Sequence, residues 1–152
     1  MSKEGIPMEK TMNIIVYGLE KALWNIMGEQ ALAITSPVGI GMLELMKKDL
    51  GLKVSGESAQ DVLDNIAKRF VSDFKIATDL KIKKNDNLVT LEIKGCVLRP
   101  KEVLLEKQDI KPFICPFANV ARAAMEELLG LKTGIKKFHT SDEGCSIEFE
   151  IF

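Results

Sequence analysis

Lys111–Phe152 reads KPFICPFANVARAAMEELLGLKTGIKKFHTSDEGCSIEFEIF, and its periodicity decides the fold. Pro116 suits the first turn of a helix, where a missing N–H breaks no hydrogen bond. From there Phe117, Val120, Ala121, Ala124, Leu128 and Leu129 recur at three- and four-residue spacing and make one apolar stripe. Gly130 follows the last apolar position, where a left-handed cap is expected. The predicted helix is 116–129. After Lys132-Thr133-Gly134 the period changes to two: Ile147, Phe149 and Ile151 face one way, Ser146, Glu148 and Glu150 the other. Ser141-Asp142-Glu143-Gly144 is a turn sequence. Residues 135–140 and 145–152 therefore pair as a hairpin, with Cys145 on the inward face.

Working back toward the N-terminus, three helices are expected. Pro7 opens the first, in which Met12, Ile15, Val16, Leu19, Leu23, Ile26 and Met27 fall on one broad face, and Gly28 ends it; core packing is the leading reading of this helix, and the methionines of the first third also fit a pocket or a helix-packed dimer seam. Ser36-Pro37 starts the second as cap and first helical residue, with Val38, Met42, Leu45 and Met46 buried and Gly51 as its stop. Gly39 and Gly41 sit in its first two turns, where each glycine costs a helix about 1 kcal/mol relative to alanine. A close helix crossing is the leading explanation, and a ligand tail against the backbone is the second. Ser58-x-x-Asp61 resembles a capping box and opens the third helix, to about Ser72. Strand alternation follows over Phe74–Ile82 and again over Val89, Leu91 and Ile93, with an Asn85-Asp86-Asn87 turn between them. Residues 101–108 have the pattern of a short helix inside a long connection.

The predicted architecture is one α+β domain, 1–152, in the order ααα-ββ-α-ββ. A four-stranded, mainly antiparallel sheet is covered on its apolar face by helices, with a pocket between the sheet and the first two helices.

A resemblance rests on three pieces of the C-terminal stretch: Cys115-Pro116-Phe117, Leu129-Gly130, and Gly144-Cys145-Ser146-Ile147-Glu148-Phe149. Together they look like the 4-vinyl reductase domain family, also described as hydrocarbon-binding, which is related to TRAPP-type subunits and to sensor domains of aromatic-responsive regulators. The resemblance implies an α/β fold with an apolar ligand pocket, often in a dimer. Many members of that family carry a Glu-x-x-Cys pair ahead of the final cysteine, and some bind zinc with it. This chain has Gly134 and Lys137 at those positions.

Composition narrows the function classes. The chain carries 21 basic and 22 acidic side chains, net charge −1, which gives no electrostatic case for nucleic acid. No apolar run reaches the length of a membrane span. An odd number of cysteines at irregular spacing points to a reduced, cytoplasmic protein. Cys115, His139 and Cys145 are chemically suited to zinc. Their spacing matches no ligand motif, though, and His139 alternates with inward-facing Phe138, so no metal is assigned. A Cys–His nucleophile pair would need an orienting group, and the nearest, Asp142, belongs to a turn. Cys96 reads as core.

The expected function is therefore non-enzymatic binding of a small apolar molecule, as in a sensor, by a homodimer. The expected pocket wall is Tyr17, Trp24, Gly39, Met42, Phe113 and Phe117. The alternative is a dimeric adaptor or assembly subunit that uses the same helices without a ligand. A reductase-associated protein ranks third, since no cofactor motif is visible.

Overall fold

A computed structural model describes residues 5–141 and 143–152; Asp142, assigned above to the hairpin turn, lies outside the described residues. The elements are α1 (Met8–Met27), a 3-10 helix (Gly28–Ile34), α2 (Thr35–Asp49), α3 (Ala59–Ser72), β1 (Asp79–Asn85), β2 (Leu88–Lys94), α4 (Arg99–Glu106), α5 (Pro116–Leu129), β3 (Thr133–Thr140) and β4 (Gly144–Ile151). This is the expected α+β order, with α4 as the short helix of the connection. The four strands form one antiparallel sheet, β1-β2-β4-β3, in which the two hairpins meet along β2 and β4.

Local chemistry explains most boundaries. Pro116 stands in the first turn of α5, and Gly130 ends that helix at φ 65°. The Ser58 hydroxyl accepts from the Asp61 N–H at 3.2 Å, which caps α3. Val89, Leu91 and Ile93 of β2 and Cys145, Ile147 and Phe149 of β4 turn the same face inward. They share one core with α3 and α5, where Phe70 and Phe117 meet edge to face, ring centroids 5.5 Å apart.

Three expectations about the N-terminal two thirds are corrected. Ser36 does not cap α2, because the 3-10 helix runs straight into it through helical Ile34. β1 starts at Asp79 rather than Phe74, since Lys75 takes φ 53° and breaks the extended chain. Most consequentially, the apolar face of α1 read as core is largely in solvent: Met12, Ile15, Leu19 and Ile26 are exposed. α1 packs chiefly on α4 and the 3-10 helix, and α2 packs chiefly on α5.

Gly39 marks the α2–α5 crossing. A Cβ built there would stand 2.2 Å from the Asn119 carbonyl oxygen, so only glycine lets the two backbones approach. Gly41 faces open space. Gly39→Ala should lose roughly 1–3 kcal/mol to overpacking. Gly41→Ala should gain up to about 1 kcal/mol from helix propensity. Urea denaturation of the two variants checks this contrast, and equal effects would contradict it.

Candidate functional site

The fully buried side chains of α1 are polar, with Val16 packed against the core beside them. Asn13 and Glu20, two turns apart, are its buried residues. Asn13 donates through Nδ2 to the Val97 carbonyl at 2.7 Å and accepts from the Lys101 N–H at 3.1 Å. Glu20 pairs with the Lys101 ammonium, both side chains being fully enclosed. Its second oxygen accepts from the Phe113 N–H at 3.1 Å. Lys101 also donates to the Ile114 carbonyl at 2.6 Å. One ion pair thus joins α1, α4 and the segment leading into α5. Burial pushes the Glu20 carboxyl upward from its ordinary range, while Lys101 and the backbone N–H groups of Ile114 and Phe113 pull it back down.

Next to Lys101 on α4, Glu102 is also fully buried, and among the described residues neither of its carboxylate oxygens has a hydrogen-bond partner. Around it lie the three free cysteines, all buried: Cys96 beyond β2, Cys115 ahead of α5 and Cys145 on β4. The Cys145 thiol lies close enough to interact with the Glu102 carboxylate, without the alignment of a full hydrogen bond. Desolvation first, and then the Glu102 charge, raises all three thiols, Cys96 to about 11. Desolvation first, opposed by Lys101 and reinforced by Glu20, pushes Glu102 up to about 7. At neutral pH the thiols are therefore protonated and unreactive.

Cys96, Cys115, Cys145 and Glu102 are of the side-chain types that bind metals. Among the described residues, however, no three His, Cys, Asp or Glu side chains have the geometry to hold one. His139 does not join Cys115 and Cys145. It faces outward opposite Ser146, with Nδ1 3.4 Å from Glu106.

The six residues picked as a pocket wall are not brought together around one cavity. Phe113 and Phe117 are buried, and Gly39 is closed against Asn119. Tyr17, Trp24 and Met42 are half-buried, and the Tyr17 hydroxyl accepts from Gln108 at 2.8 Å. A groove of about 410 Å³ does lie between α2 and α5, lined by Ile40, Leu43, Glu44, Lys47, Ala123, Glu126 and Glu127. None of the six lines it.

About a third of a turn from the polar anchor, α1 presents Met8, Met12, Ile15, Leu19, Ala22 and Ile26, all exposed, at spacings of 4, 3, 4, 3 and 4. Ile15 is 57% exposed, Leu19 60% and Ile26 82%. This is the heptad alternation of a helix-pairing seam. The signal was present in the sequence, folded into a broader stripe by Val16, Leu23 and Met27. Glu20, Lys101 and Glu102 carried no comparable signal, because each reads locally as an ordinary surface charge.

Residues 12–152 match the protein family described as "Putative rubredoxin C-terminal domain", and the chain belongs to that family. It is also similar to an uncharacterised protein of Methanocaldococcus jannaschii, with 28% identity over 117 residues, covering 77% of this chain and 70% of the relative.

The Glu102 environment gives a pH signature. Its folded pKa of about 7 lies above the ordinary glutamate value of 4.5. Below pH 4.5 the carboxyl is protonated in both states and carries no penalty. As pH rises from 4.5 to 7 the unfolded chain ionises first, and stability falls. Between pH 5 and 8 the wild type should lose about 2–3 kcal/mol that Glu102→Gln does not. Denaturation midpoints at the two pH values measure this, and parallel profiles for the two proteins would contradict it.

Proposed function

We propose that this member of the rubredoxin C-terminal domain family is a non-enzymatic assembly domain whose α1 takes a protein partner. One observation carries the reading: a line of apolar side chains at helix-pairing spacing, large except at Ala22, left in solvent along the length of α1. Monomeric proteins seldom leave so long an apolar stripe uncovered. The groups with nucleophilic potential support it, since the three thiols are enclosed and protonated. The family's description, a part of a rubredoxin, fits a module that works beside another rather than carrying the chemistry itself.

A second reading, binding of a small apolar molecule, is favoured by the groove between α2 and α5. Ile40, Leu43 and Ala123 give it an apolar floor, and the Lys47–Glu127 ion pair stands on its rim. Its volume lies within the range of small-molecule sites. Native mass spectrometry of protein purified from its own host tests this, and a retained lipid or hydrocarbon is the supporting result.

The principal reading is tested with Ile15→Lys/Leu19→Lys. Both positions are exposed, so the melting temperature should stay within a few degrees of wild type. The wild-type chain in host extract should elute well above its 16.9 kDa, and the variant should elute near it. Identical elution of the two folded proteins would sink the proposal.

A further inference from the structure

We infer that the partner on α1 is a second copy of this chain, with the two α1 helices packed antiparallel. The inference rests on reading α1 as an assembly face and adds the identity and direction of what covers it.

The seam is self-complementary in one direction only. In an antiparallel pair centred near Tyr17 and Gly18, residues whose numbers sum to 34 face each other. Met12 then meets Ala22 of the second copy, Ile15 meets Leu19, and Met8 meets Ile26. Each long side chain at the seam's thin point is matched to the small one, so no void forms. A parallel pair would instead set Ala22 against Ala22 and leave a hole between the larger layers above and below it. Antiparallel helices also place opposite dipole ends together. Gly18, exposed beside the seam with open space where a Cβ would be, allows close approach at the crossing point.

Chemistry and area both fit a like partner. The six seam positions carry no charge, so they offer nothing to an acidic or basic surface and match another uncharged apolar helix. The exposed parts of Met8, Met12, Ile15, Leu19 and Ile26 come to roughly 500–600 Å² per copy. Pairing two copies would bury at most on the order of 1,000 Å² through these side chains, the lower bound for a specific interface. An isologous contact of this kind closes on itself and stops at two.

Light scattering of the purified chain, followed by cysteine cross-linking, tests both parts. The purified wild type should weigh about 34 kDa, twice its own 16.9 kDa, and Leu19→Lys should weigh half that. Under mild oxidation Met12→Cys/Ala22→Cys should form a covalent dimer, while Ala22→Cys alone should not. The native thiols, being enclosed, do not interfere. Ready cross-linking of Ala22→Cys alone would overturn the antiparallel arrangement. A purified wild type that stays monomeric, while Ile15→Lys/Leu19→Lys still loses a larger assembly in host extract, would overturn the second copy and leave the assembly role standing. A monomer in both settings would remove both.

Discussion

The ion pair between Glu20 and Lys101 is the constraint from which the rest of the arrangement follows. Both charges are fully enclosed, so each depends on the other and on the backbone of residues 113 and 114 for the solvation it has lost. A helix can turn only one line of side chains toward its support. Once Asn13 and Glu20 occupy that line, the apolar residues roughly a third of a turn away are committed to solvent. The polar anchor is therefore also the reason α1 displays a seam. Had the same helix docked by its apolar line, Glu20 would be an ordinary surface carboxylate and no face would remain to be covered.

The C-terminal third was legible because local rules and tertiary demand agree there. Pro116 and Gly130 bound α5 on stereochemical grounds, and the strict alternation after Gly144 leaves one register with an apolar interior. Three of the residues behind the resemblance to the 4-vinyl reductase domain family have plain structural posts. Pro116 opens a helix, Gly130 closes it, and Gly144 fits where a Cβ would stand 1.8 Å from the Ile93 carbonyl oxygen. Of the pocket residues, Gly39 is accounted for by the crossing with α5.

The N-terminal helix was harder to read because periodicity reports that a face is apolar, not what covers it. Met12, Ile15, Leu19 and Ile26 have the same spacing whether they meet a sheet or another chain. The buried charges were invisible for a different reason. Lys101-Glu102 lies in a short amphipathic segment, and only the approach of α1 and of Cys145 from distant parts of the chain turns those residues inward. Glu102 pays for that placement with a raised carboxyl pKa, and burial first, with the Glu102 charge second, raises the neighbouring thiols. The three thiols are thus enclosed and protonated, and the proposed function rests on the outward face of α1.

The most direct test is a double-mutant cycle on Glu20→Gln and Lys101→Met, read by denaturant unfolding of the full chain. If the pair fixes α1 as described, each single change is strongly destabilising because it strands the other group. The double variant then recovers part of the loss, with a coupling of on the order of 2–4 kcal/mol. Additivity of the two changes to within about 0.5 kcal/mol would mean that the groups do not depend on each other. The orientation of α1 would then need another cause.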